Sequence, residues 1–422
     1  MQIPTSSALS QVWSRIHPVP IVRGEGSYVF DSGGNRLLDF TSGIAVTSTG
    51  HCHPRVVEAI SAQASQLIFG QMNCMLPDIV SRYAEQLRSR TPDSIESFFF
   101  SNSGAEAVEG AIKLAKVATQ RTNVIAFDGG FHGRTALTMA LTSSKGIYRS
   151  GYQPLPSGVF FSPFPACFRY GWDEEQTVDF CMEQLRHLLK ARTTAAETAC
   201  IIVEPVLGEG GFIPAPTSFI EHLREICDET GILLILDEVQ SGFGRTGNMW
   251  AHEPSGVQPD ILVLAKGIAS GMPLSAIGAS DHLMEKWPPG SHGGTYGGGN
   301  AISMAAALAT LEVIEEEDLV HNARVQGDYL KHQLTEILEP LPDTDIRGPG
   351  LMIGVELTHN GKPNARLTSQ LQQACHDADL MLLTCGTDSN VLRWLPPLTV
   401  SRDEINEGLS IFEASLRKVA LQ

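Results

Sequence analysis

Two short apolar runs constrain this chain more than any other feature. Ile232-Leu233-Leu234-Ile235-Leu236 stops abruptly at Asp237-Glu238, and Ile261-Leu262-Val263-Leu264-Ala265 stops at Lys266. Between them lies a Gly-rich turn region, Ser241-Gly242-Phe243-Gly244-Arg245-Thr246-Gly247. Unbroken apolar runs of this length, flanked by Gly and Pro, read as strands buried on both faces, the parallel-sheet case. An acid and an amine at the ends of two such strands stand where open α/β sheets hold their ligands. A lysine emerging from an apolar strand is partly desolvated, which lowers its pKa and favours the nucleophilic neutral amine. Asp237, if buried, needs a cationic or hydrogen-bonding partner. Taken alone, the stretch leaves two readings open. Either the acid and the amine cap strands or pair with each other, or the acid meets a protonated ring nitrogen of a bound group that the lysine also engages.

The bulk numbers narrow the field. A chain of 422 residues suits two domains or a large and a small lobe, and 42% hydrophobic residues supply an ordinary core. The net charge of -17 argues against nucleic acid or an anionic membrane as partner, although a local positive pocket can still hold an anionic substrate. The eight cysteines show no CxxC spacing, which reads as reduced thiols in a cytoplasmic protein. Cys52-His53 and Cys375-His376 are isolated pairs, so no metal site is expected. The N-terminus carries no signal-peptide pattern, and no apolar run approaches the ~20 residues of a spanning helix.

In chain order, residues 1–20 read as a polar lead-in. Ser27–Phe30 and Arg36–Phe40 flank a Gly-containing turn and read as a hairpin. Helical spacing runs over Val56–Leu67 and over Leu76–Leu87, the latter with Pro77 in its first turn. Phe98-Phe99-Phe100 is a short strand that leads through Ser101-Asn102-Ser103-Gly104-Ala105 into a helix ending near Thr119. Strand, Ser/Gly turn and helix N-terminus together form an anion-binding design, although most such turns are ordinary caps. Val124–Phe127 leads into Gly129-Gly130-Phe131-His132-Gly133-Arg134-Thr135, where an aromatic and an Arg could stack on a ring and hold a carboxylate. Residues 146–171 read as a long irregular excursion, a length that usually carries function. A helix over Val178–Ala191, a strand over Cys200–Val203 ending at Glu204-Pro205, and a helix over Phe219–Glu229 follow. This alternation predicts a parallel α/β sheet from about residue 98 to 266. Ala301–Glu316 and Leu319–Leu338 read as one long helical connector. Beyond residue 340 the strands Met352–Leu357, Met381–Leu383 and Val391–Leu395 and the helices Leu367–Ala378 and Ile405–Ala420 make an α+β lobe.

Seven pieces, in this order, resemble the class III (subgroup II) aminotransferases that use pyridoxal 5'-phosphate on the fold type I scaffold. They are Ser103-Gly104-Ala105-Glu106-Ala107, Phe131-His132-Gly133-Arg134-Thr135, Glu204-Pro205, Leu236-Asp237-Glu238-Val239-Gln240, Gly242–Gly247, Leu264-Ala265-Lys266-Gly267 and Gly294-Thr295-Tyr296. The resemblance covers nearly the whole chain. It implies a large domain with a mostly parallel seven-stranded sheet over residues 51–305, and a smaller α+β domain over 306–422 joined by residues 1–50. It also implies a homodimer or a tetramer with active sites at the subunit interface.

Carried over by position, the resemblance makes Lys266 the Schiff-base lysine and Asp237 the partner of the pyridine nitrogen, with Glu204 as a third catalytic residue. Ser103, Gly104, Ala105 and, from the partner subunit, Thr295 would hold the phosphate. Phe131 would stack on the ring with His132 beside it, Val239 would pack the opposite face, and Gln240 would reach the ring oxygen. Family members often carry Tyr at the Phe131 position. Within the family the chain looks most like 4-aminobutyrate aminotransferases, through Ile44, Gln71, Arg134, Glu209 and Arg393 as substrate-binding residues. Arg134 would grip the distal carboxylate. Glu209 would neutralise Arg393 when an ω-amine is bound and swing away when a 2-oxo acid or glutamate brings an α-carboxylate. Leu207 stands where close relatives have Gln, a departure that bears on substrate length. The expected reaction moves the amino group of 4-aminobutyrate or a similar ω-amino acid to 2-oxoglutarate, giving succinate semialdehyde and glutamate. Alternatives are other donors (5-aminovalerate, β-alanine, acetylornithine, diamines), pyruvate as acceptor, a decarboxylating or aminomutase relative, and a non-catalytic binding protein on the same scaffold.

Overall fold

The computed structural model describes residues 8–10, 12–294, 296–341 and 343–420. β1 (Ile21–Glu25), β2 (Tyr28–Asp31) and β3 (Arg36–Asp39) form an antiparallel meander. The next strands are β4 (Ser97–Ser101), β5 (Asn123–Phe127), β6 (Val159–Ser162) and β7 (Thr198–Val203), followed by a small hairpin of β8 (Val206–Leu207) and β9 (Ile213–Pro214). Then come β10 (Leu233–Asp237), β11 (Ile261–Leu264) and β12 (Ser275–Ala279). Seven of these make one sheet in the order β4-β12-β11-β10-β7-β5-β6. Every neighbour pair from β11 to β6 is parallel, and β12 alone runs antiparallel, to both β11 and β4.

Period-two alternation along each strand feeds two separate cores. Leu234, Leu236, Ile201, Val203, Leu262 and Leu264 join the larger apolar cluster on one face. Ile235, Cys200, Ile202, Ile261 and Val263 join a second cluster with Ala107, Val108, Ala111 and Ile112 of helix Gly104–Thr119 on the other. The expectation of strands buried on both faces holds, and each such Leu or Ile contributes about 1.5–3 kcal/mol on burial.

The C-terminal region adds β13 (Thr344–Arg347), β14 (Ile353–His359), β15 (Lys362–Pro363), β16 (Leu380–Met381), β17 (Leu383–Cys385) and β18 (Val391–Trp394). β13-β14-β18-β17 form an antiparallel sheet with β15 on β14. Helices Ala365–His376 and Arg402–Ala420 pack together in the same region. Met381-Leu382-Leu383, read as one strand, is divided between two sheets. β16 pairs with β3 in parallel, β17 pairs with β18, and the fully buried Leu382 lies between them. Helices Ala301–Glu316 and Leu319–Leu338 are also two elements, not one. Glu315, Glu316, Glu317 and Asp318 place like charge at the negative end of the helix dipole, and Asp318 turns the chain at φ 52°. Pro77 is the residue preceding helix Asp78–Arg88, not part of its first turn.

Several strands escaped the pattern reading, β1, β13 and the short β8, β9 and β15 among them, and two of the large sheet are instructive. β6 is an edge strand inside the Pro-rich excursion. β12 (Ser275-Ala276-Ile277-Gly278-Ala279) has small residues of low strand propensity because a side chain at Gly278 would collide with its neighbours; its Cβ would stand 2.5 Å from Ile95 Cγ2 and 2.8 Å from Phe98 Cε1. No helix among the described residues is long and apolar enough to cross a membrane. Leu236→Ala, at the centre of the sheet, is expected to cost about 2–5 kcal/mol of stability, read as a lowered midpoint in chemical denaturation. A change under ~1 kcal/mol would contradict a packed two-faced core.

Candidate active site

The carboxyl ends of the parallel strands converge on one cavity of about 560 Å3. Asp237 ends β10, Lys266 follows β11 by two residues, Glu204 follows β7, Phe131 lies four residues beyond β5, and Ser103 two beyond β4. The cavity wall includes Ser103, Gly104, Ala105, Phe131, His132, Arg134, Glu204, Glu209, Asp237, Val239, Gln240 and Lys266, all of them expected from sequence.

At one end, Ser103 caps helix Gly104–Thr119 in a capping box. Its Oγ accepts the Glu106 N–H at 3.3 Å, and Glu106 Oε2 accepts the N–H groups of Asn102 at 2.7 Å and Ser103 at 3.1 Å. The first-turn N–H groups of Gly104 and Ala105 therefore have no partner among the described residues, and the helix dipole adds positive potential there. A Cβ at position 104 would stand 3.0 Å from Val239 Cγ1, so any larger residue there presses on that side chain.

Across the cavity, buried Asp237 Oδ2 meets His132 Nδ1 at 2.7 Å while Oδ1 accepts the Val239 N–H at 3.1 Å. Burial alone would lower the His132 pKa, but the hydrogen bond and charge of Asp237, with Glu204 nearby, hold it above the ordinary imidazole value. Glu204 accepts the Phe131 N–H at 2.8 Å and the Gly208 N–H at 2.9 Å. Its carboxyl is pushed up to about 7, chiefly by burial, with His132 opposing and Asp237 adding. So Glu204 fixes the two loops that carry Phe131 and Glu209, and His132 orients Asp237.

Lys266 opens a 3-10 turn, Lys266–Ala269, at a left-handed φ of 47°, a strained conformation of the kind that collects at functional sites. Burial in the cavity wall pulls its amine down to about 8, despite the opposing charges of Glu209 and Glu204. The neutral form prevails above that pH, so reactivity of Lys266 in the cofactor-free protein toward an amine-directed aryl reagent should reach half its maximum near pH 8. A half-maximum near the ordinary lysine value, followed by mass spectrometry of the labelled peptide, would contradict the buried setting.

The carboxylate-binding candidates separate. Arg134 is exposed on the cavity wall without an ion pair among the described residues. Arg393, on β18, does not line the cavity. It is buried, its Nη1 donates to Glu209 Oε1 and its Nη2 to Thr384 O at 3.0 Å. Ile44 and Gln71 lie outside the cavity: Ile44 is exposed, and Gln71 lines a separate cleft beside Gly294. Thr295 lies outside the described residues. Leu207 is buried in β8 and packs toward Gly129. The structure adds Tyr148, whose Oη donates to Glu209 Oε2 at 3.3 Å and whose ring meets Phe131 edge-on at 5.2 Å. It belongs to the excursion flagged by its length, but no spacing singled it out.

The class-III aminotransferase family model matches residues 9–416, so the chain belongs to the class-III aminotransferases, enzymes that depend on pyridoxal 5'-phosphate. It is 40% identical over 411 residues to the 4-aminobutyrate aminotransferase GabT of Escherichia coli, covering 96% of this chain and 95% of that one. It is also 40% identical to the 5-aminovalerate aminotransferase DavT of Pseudomonas putida, with the same coverage of 96% and 95%. Among solved structures, an amine transaminase from an uncultivated Pseudomonas species in its cofactor-bound form superposes with a TM-score of 0.89 at 32% identity, over 99% of this chain and 98% of that one. The cavity fits that cofactor. Unpaired N–H groups suit a phosphate, buried Asp237 lines the cavity beside His132, and buried Gln240 Nε2 has no partner within the described residues.

Proposed function

We propose that this chain is an ω-amino acid transaminase that carries the amino group of 4-aminobutyrate to 2-oxoglutarate, producing succinate semialdehyde and glutamate in a ping-pong cycle. One observation carries the reading: two guanidinium groups are available for carboxylates, Arg134 open to the cavity and Arg393 closed by Glu209. An ω-amino acid has one carboxylate and needs only Arg134. A dicarboxylate needs both, and Glu209 decides which of the two the site accepts.

When bound, the cofactor supplies an electron sink for the carbon that bears the amine. Lys266 Nζ would be the group that holds it and, once released, the general base for a proton on that carbon, for which a lowered pKa suits it. Asp237, held by His132, would keep a ring nitrogen protonated. Gly104 and Ala105 N–H, with Ser103 and, in an oligomer, Thr295 of the partner subunit, would hold the phosphate. Phe131 and Val239 would pack against the ring and Gln240 Nε2 would reach its oxygen, while Glu204 fixes the loops around the cavity.

The same reading places Ile44, Gln71 and Thr295 at the active site of a second subunit in a homodimer or tetramer. What supports it is that Gln71 lies beside Gly294, away from its own cavity, among exposed apolar residues: Ile68 is 62% exposed, Leu76 64% and Tyr296 74%. It also takes residues 51–305 as the large domain, with 1–50 and 306–422 as the smaller one; the pairing of β16 with β3 supports that division. The cytoplasmic location belongs to the same reading. Transamination of 5-aminovalerate is a second reading, favoured by the equal identity to the enzyme named for it.

Lys266→Ala is expected to lower turnover roughly a thousandfold or more while cofactor still binds noncovalently. Substantial residual transamination in a 4-aminobutyrate/2-oxoglutarate assay would refute the role. Arg134→Ala should raise KM for 4-aminobutyrate and 5-aminovalerate about tenfold to a hundredfold, the size of one lost charge-assisted bidentate contact, and barely change KM for putrescine. Equal effects on acid and diamine would exclude a carboxylate grip.

A further inference from the structure

The loop that carries Glu209 is pinned on both sides. Gly386 N–H donates to the Glu209 carbonyl at 2.9 Å. Arg347 donates to the Gly211 carbonyl from Nε at 3.1 Å and from Nη2 at 2.5 Å. Gly208 N–H is held by Glu204, and a Cβ on Gly210 would stand 2.3 Å from Gly129 O, so the loop has no room to slide. Freeing Arg393 is therefore a rotation of the Glu209 side chain about a fixed backbone.

That side chain is only 12% exposed, and a carboxylate that leaves a guanidinium in such a place needs another donor or charge within reach. One segment supplies both. Tyr148 Oη already touches Glu209 Oε2 at 3.3 Å. Lys145, three residues earlier, is half-buried, with Nζ on Ser389 Oγ at 3.0 Å and no carboxylate within ion-pair distance among the described residues. Ser389 closes the turn whose Gly386 grips Glu209, since Ser389 N–H donates to Gly386 O at 3.0 Å. Burial alone would raise the Glu209 carboxyl; Arg393 and Lys266 first, and Lys145 after them, hold it below its ordinary range.

We propose that Lys145, with Tyr148 Oη, is the second station of Glu209: it receives the carboxylate when an incoming α-carboxylate takes Arg393. This rests on the Glu209–Arg393 reading above and adds to it a positioning residue that sets affinity for dicarboxylates only.

The test is a double-mutant cycle on the holoenzyme, with calorimetric affinities for glutarate, which needs both guanidinium groups, and butyrate, which needs Arg134 alone. Lys145→Met should weaken glutarate tenfold or more, the size of one charge-assisted contact, and leave butyrate within about twofold. Lys145→Arg should restore glutarate binding, and Tyr148→Phe should weaken it by a smaller factor. In a Glu209→Ala background the Lys145→Met effect should vanish, because no carboxylate remains to be rehoused. A Lys145→Met variant that binds glutarate normally, that loses butyrate as well, or that weakens glutarate equally without Glu209 overturns the proposal; the last result would make Lys145 a direct ligand contact. Glu209→Ala alone should tighten glutarate. If it does not, the closing role of Glu209 fails, a result distinct from failure of the Lys145 station.

Discussion

An apolar sheet that delivers charged groups to its own rim is the constraint on which this molecule depends. β10 and β11 are buried on both faces, so Asp237 and Lys266 at their ends emerge at the wall of a cavity where solvation is reduced. Charge there is costly unless it is matched. The fold responds with a graded set of partners: His132 for Asp237, backbone N–H groups for Glu204, and for Lys266 a setting that favours the neutral amine. The chemistry that an aminotransferase requires is in this sense a consequence of where the strands end.

The second organising element is the C-terminal lobe, which contributes no described residue to the cavity wall yet positions one. Arg393 comes from β18, and Arg347 and Gly386 hold the loop around Glu209. A side chain of the large sheet region is thereby set against a guanidinium of another sheet. Strand pairing does comparable work at the other end of the chain, where β16 adds to the β1–β3 meander.

Much of this was legible in residue patterns. Apolar runs gave β7, β10 and β11, Ser-Gly turns gave the helix N-terminus at residue 104, and the acid and amine were found from where the runs stop. Less legible were elements whose signal is local poverty. β12 is built of small residues because Phe98 and Ile95 crowd it, and β6 is hidden among prolines. The break at Asp318 follows from like charges at a helix end, which a periodicity reading passes over. Tyr148 carried no motif at all; only the return of the excursion over the cavity shows that its hydroxyl meets Glu209.

By itself the sequence determined which residues are chemically able to act, because strand ends, caps and a lysine in an apolar setting follow from short-range physics. The tertiary structure decided how they are used. It joined His132 to Asp237 across 105 positions and Arg393 to Glu209 across 184, and it kept Ile44 and Gln71 out of the cavity of their own chain. Such pairings depend on which strands lie side by side and how loops are wedged between them, and no local pattern encodes that.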